Sequence, residues 1–169
     1  MGRMPEVLLR RSAATGSCLI LLWGAACGGG ASVSLEWTGS DTGRAVLPAT
    51  ARRCGAGPVE LLAMSGDTGV GLTIHGPVPL ASGTFPISHP DQAASAPPAA
   101  ALAARWLDSV EITGYRGMEG SLELTRTAPI RGSFTARAER WGGGTGEVTI
   151  TGRVQDVPIG PCDASDSTG

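Results

Sequence analysis

Apolar and polar residues alternate one for one through most of this chain, and a period of two restricts it to half-buried β-strands. Val33, Leu35 and Trp37 share one face, with Ser34 and Glu36 on the other. Val70, Leu72 and Ile74 alternate with Gly71 and Thr73. Val110 and Ile112 alternate with Glu111 and Thr113, and Leu122 and Leu124 with Ser121, Glu123 and Thr125. Ile130, Phe134, Ala136 and Ala138 form a longer apolar face against Arg131, Ser133, Thr135, Arg137 and Glu139. Val148, Ile150 and Val154 follow the same rule. Residues 59–64 are apolar on both faces and read as a central strand.

The breaks between these runs are turns such as Asp41-Thr42-Gly43, Ser65-Gly66-Asp67-Thr68-Gly69 and Trp141-Gly142-Gly143-Gly144-Thr145-Gly146. Short strands divided by glycine turns predict an all-β fold, an antiparallel β-sandwich or small barrel of about eight to ten hairpin-linked strands. The 26 glycines and 12 prolines among 169 residues suit such a turn-rich chain. Pro86 marks an edge strand, because it cannot donate to a ladder. Residues 99–107 read Ala-Ala-Ala-Leu-Ala-Ala-Arg-Trp-Leu. They fit either a strand that turns Ala100, Leu102 and Ala104 to a core, or a short helix opened by Pro97 and Pro98. The β domain is expected over residues 32–162, followed by a disordered Ser/Asp-rich tail over 163–169.

The N-terminus has a different pattern. Arg3, Arg10 and Arg11 precede an apolar stretch over residues 12–23, and small residues then lead to Cys27. The stretch is shorter than the roughly 20 apolar residues of a membrane-spanning helix, and it reads as an export signal. Gly24-Ala25-Ala26-Cys27 resembles the lipobox of bacterial lipoproteins. The resemblance implies a signal peptide over residues 1–26 and an acylated Cys27 at the new N-terminus. Residues 27–31 would then be an anchor and a glycine-rich tether. Gly28, where inner-membrane retention uses Asp, implies outer-membrane sorting in a diderm cell. Of the four cysteines, Cys18 would be removed with the signal and Cys27 acylated. Cys54 and Cys162 remain, an even pair in an oxidising compartment. Bridging them would close a loop of about 109 residues, with a chain-entropy gain of roughly 4–5 kcal/mol.

Candidate chemistry is sparse. Asp-Thr-Gly occurs at residues 41–43 and 67–69 and resembles the catalytic loop of aspartic proteases, where two aspartates share a proton. The copies are too close for two lobes, and all three residue types favour turns, so the turn is the preferred reading. His75 and His89 show no metal-ligand spacing, and no metal or other cofactor is expected. There is no G-x-S-x-G nucleophile elbow, and no Lys follows the glycine run to make a phosphate loop. Arg131 and Arg137 lie on the polar face of one strand, open to an anionic partner or simply solvated. Trp141, at the start of a glycine loop, is the best single candidate for contact with a sugar or a protein.

A net charge of -2 argues against nucleic acid as partner. The expected function is a non-catalytic lipoprotein of the cell envelope, structural or an accessory binding module. It would be held to the membrane by its lipid and partnered by an envelope protein or a polysaccharide. The alternatives are a barrel carrying a small apolar ligand or lipid, and an unrecognised enzyme. For the carrier, Ala136, Ala138, Gly132 and Gly114 would leave interior room that Trp37, Phe134 and Leu124 would fill.

Overall fold

The computed structural model describes residues 30–108, 111–142 and 144–162. The expected signal peptide, Cys27 and the tail after Cys162 lie outside them. The elements run β1 (Ser32–Gly39), β2 (Gly43–Arg53), β3 (Val59–Ser65), β4 (Thr68–His75), β5 (Gly83–Ser88), α1 (Pro90–Ser95) and β6 (Ala99–Asp108). They continue β7 (Glu111–Thr127), β8 (Ile130–Arg140), β9 (Glu147–Val157) and β10 (Ile159–Pro161). The alanine-rich segment is thus strand β6, with Ala100, Leu102, Ala104 and Trp106 buried.

All ten strands belong to one sheet. Each of β1, β2, β3, β4, β6, β7, β8 and β9 pairs antiparallel with the next. β9 then pairs back to β1 over eight positions. The sheet therefore closes, and of the two expected architectures the barrel is the one adopted. Closure removes the open edges that would invite pairing with other chains. β5 lies beside the second half of β7, from Gly83 opposite Leu124 to Ser88 opposite Glu119, and meets β6 at a single parallel position. Its nearly open second side accommodates Pro86.

Strand direction gives the barrel two ends. At the tip lie the turns after β1, β3 and β8. At the base lie the start of β1, the β7–β8 turn and β10. The short β10 pairs parallel with Ala51–Arg53 of β2, and the Cys54–Cys162 disulfide fixes it there.

The interior is filled. Trp106 is fully buried and stacks on Trp37 at 4.4 Å and on Tyr115 at 4.5 Å between ring centroids. Two inward glycines are the complements of aromatic rings. Gly43 lies directly across from Trp37, and Gly152 from Phe134. A Cβ at either glycine would overlap the facing ring. Such glycine–aromatic cross-strand pairs let a large ring lie flat over the neighbouring backbone. Gly132 is hemmed in by the Glu123 carbonyl and the Leu124 side chain, and Ala136 and Ala138 are fully buried in the core.

Two expectations about phase are corrected. Ile112 faces solvent at 52% exposure, whereas Thr113, expected outside, is 2% exposed. The stack sets this phase. β6 places Ala104 opposite Tyr115 and Trp106 opposite Thr113, so burying Tyr115 turns Ile112 out. Aromatic rings bury far more apolar area than Ile112 would. The Thr113 hydroxyl is satisfied by Arg140 at 3.3 Å. Gly114, expected to leave room inside, is also on the outer wall. β3 is central, but only Val59, Leu61 and Ala63 point inward; Leu62 is exposed.

Candidate contact grooves on the outer wall

The two Asp-Thr-Gly turns are brought to the same end of the barrel, with no hydrogen bond between them among the described residues. Asp67 is exposed in the β3–β4 turn. Asp41 is half-buried and engaged: its Oδ2 accepts from the Trp106 indole at 2.5 Å and the Trp37 indole at 3.2 Å. Its Oδ1 accepts from the backbone N–H of Thr42 at 2.6 Å. Asp41 is thus the polar cap of the aromatic stack, satisfying two N–H groups that the core would otherwise leave unpaired.

His89 caps α1, its Nδ1 accepting from the Asp91 backbone N–H at 3.4 Å, and its Nε2 lies 3.4 Å from Arg116 Nη1. Among the described residues no three His, Cys, Asp or Glu side chains group as metal ligands. No helix there is long and apolar enough to cross a membrane.

Arg131 and Arg137 do project outward, as their phase predicts, but carboxylates occupy them. Arg131 is bidentate to Asp156, at 2.5 and 2.7 Å. Arg137 reaches Glu119 at 2.8 Å and Glu147 at 2.9 Å, with Glu139 at 3.7 Å. The hydrogen bond from Arg137 holds the Glu119 carboxyl below its ordinary range. Arg131 does the same to Asp156. Arg140 pairs with Glu111. This wall is ion-paired and offers little to an outside anion.

Two grooves on the outer wall bear on function. The first, of about 320 Å³, crosses β3, β4, β6 and β7 near the tip. The register places Met64, Gly69, Arg105 and Gly114 in one row across the four strands. Gly69, Gly71 and Gly114 leave its floor bare, and Leu62, Met64 and Trp141 form its walls. The Trp141 backbone N–H donates to the Gly114 carbonyl at 2.8 Å, which sets the indole over β7 at 67% exposure. Leu107 and Ile112, paired across β6 and β7, are also exposed. Of this apolar surface only Trp141 was singled out from sequence. Leu62 could have been found, because residues 61–64 are apolar on both faces in a strand that has only one face to bury.

The second groove, of about 660 Å³, crosses β8, β9, β1 and β2 and mixes polar side chains with apolar surface. Hydroxyl side chains line it together with Glu36, Arg44, Arg153 and the exposed Val46. No protein-family model matches the chain, and no curated protein or solved structure is significantly similar to it. The fold and its outer wall therefore define the class by themselves: a closed, up-and-down, eight-stranded barrel with a packed axis and a grooved exterior.

Proposed function

We propose that this chain is a non-catalytic lipoprotein of the bacterial cell envelope, acylated at Cys27, whose barrel acts as a structural or accessory binding module. The observation that carries the reading is the packed axis. A carrier of a small apolar ligand needs room inside, and Trp37, Trp106, Tyr115 and Phe134 fill that room. Contacts therefore belong to the outer wall, and the groove beside Trp141 is its most apolar part.

The tether suits this arrangement. From Cys27 to Ser32 the chain can span at most about 17 Å, which keeps the base of the barrel near an anchoring bilayer. Trp141 lies at the opposite end, facing away from that membrane toward an envelope protein or polysaccharide. The lipobox-like Gly24-Ala25-Ala26-Cys27 supports export and anchoring, and outer-membrane placement follows from the same resemblance.

Cell fractionation of Cys27→Ala tests the anchor. The wild-type protein is expected in the detergent-soluble membrane fraction, and the variant in the soluble exported fraction. Equal membrane association of the two would remove the lipid anchor from this reading.

A further inference from the structure

The groove across β8, β9, β1 and β2 is organised by strand register into two parallel rows. One row reads Thr135, Thr151, Glu36 and Arg44, each directly opposite the next. The adjacent row reads Ser133, Arg153, Ser34 and Val46. With strands about 4.8 Å apart and same-face residues about 7 Å apart along each strand, the rows form a rectangle of roughly 14 by 7 Å.

The groups in this rectangle are uncommitted. The hydroxyls of Ser34, Ser133, Thr135 and Thr151 make no side-chain hydrogen bond within the described residues. Neither Arg44 nor Arg153 has a carboxylate within ion-pair distance there, although Arg131, Arg137 and Arg140 all do. Glu36 is the single carboxylate of the groove, so two guanidinium groups face one acid in a chain whose net charge is -2. Ion pairing elsewhere on the wall leaves this groove as a local positive site.

We propose that this groove binds an acidic polysaccharide. Hydroxyls spaced by the strand interval exchange hydrogen bonds with successive sugar hydroxyls. Arg44 and Arg153 receive carboxylate or phosphate groups, for which the planar guanidinium fork is suited. Nucleic acid is the less fitting polyanion: the aromatic residue that lines the groove, Phe134, is buried at 2% exposure and offers a base no stacking platform, and the chain is acidic. The inference deepens the reading of an envelope binding module by naming its partner class.

The test is isothermal titration of the full-length protein with polygalacturonic acid fragments, neutral dextran fragments and single-stranded DNA. The acidic fragments are expected to bind, more weakly as salt is raised, and the neutral ones not to bind. Arg44→Gln/Arg153→Gln is expected to weaken binding by about tenfold for each guanidinium removed. Arg140→Gln, drawn from the Arg140–Glu111 ion pair at the tip and outside the groove, should leave the affinity within about twofold. Should the first variant melt early, Arg44→Lys/Arg153→Lys replaces it; it keeps the charge and removes the fork, and weaker binding is again expected. Absence of binding to the acidic fragments, equal binding by the Arg44/Arg153 variants, or equal or tighter binding to DNA would each overturn the proposal. Binding by a protein that proves unacylated retains this site and removes the tether; an acylated protein that fails to bind does the reverse.

Discussion

Replacing both bridging cysteines, as Cys54→Ser/Cys162→Ser, is expected to lower the unfolding free energy by about 4–5 kcal/mol. The bridge joins residues 108 apart in sequence, so its loss frees nearly the whole barrel in the unfolded state. Part of the effect is local. β10 has three residues and one neighbour, β2, too little contact to hold the C-terminus once the bond is gone. The lost stability is comparable to the total margin of many small domains. Equilibrium denaturation of wild type and variant checks this, and the wild type with strong reductant should approach the variant. A midpoint that moves by less than the equivalent of about 1 kcal/mol would mean that barrel closure alone restrains the chain.

The second large effect is expected at Trp106. Trp106→Ala removes the middle ring of a three-ring stack and an indole donor from Asp41, at a cost of about 3–5 kcal/mol. Trp106→Phe keeps a six-membered ring in the stack but loses the pyrrole half of the indole with its N–H, so its cost should be near 1.5–3 kcal/mol. Asp41→Ala leaves the indoles of Trp37 and Trp106 without their acceptor. Combining Asp41→Ala with Trp106→Phe should cost less than the sum of the two, with a coupling of about 0.5–3 kcal/mol. Far-UV circular dichroism suits the measurement, because each change at Trp106 alters the intrinsic fluorescence. Strict additivity would show that the Asp41–Trp106 hydrogen bond contributes nothing to stability.

These two results bear on parts of the fold that were unequally legible in the sequence. The pairing of Cys54 with Cys162 is legible from counting thiols, given a resemblance that assigns Cys18 to a signal peptide and Cys27 to a lipid, and the described structure contains that bond. Strand alternation was equally plain, because it is a local property of neighbouring residues. Closure was not, since whether β9 pairs with β1 depends on strands more than a hundred residues apart. The phase of β7 was misread for a related reason. Ile112 fits a local alternation, but Trp106 across the ladder determines that Tyr115 goes inward.

The role of Asp41 was hidden in the same way. Its preferred reading was a turn residue, and it does bond the turn backbone at Thr42. Its partner Trp106, however, is 65 positions away. The phase of Arg131 and Arg137 was legible, but the carboxylates that neutralise them come from β7 and β9. Both grooves are built from four strands each, so no single segment carries their signature. The groove at Trp141 was visible only as one aromatic residue beside a glycine loop.

The central claim is that an anchored barrel keeps its interior for its own side chains and meets partners on its outer wall. Native mass spectrometry of the protein purified from bacterial membranes without reductant tests it most directly. The predicted result is a species carrying a diacylated Cys27 and one disulfide, with no small-molecule adduct. A stoichiometric apolar small molecule, bound non-covalently and lost on denaturation, would contradict the packed interior and point to a carrier, and an unacylated protein would contradict the tether.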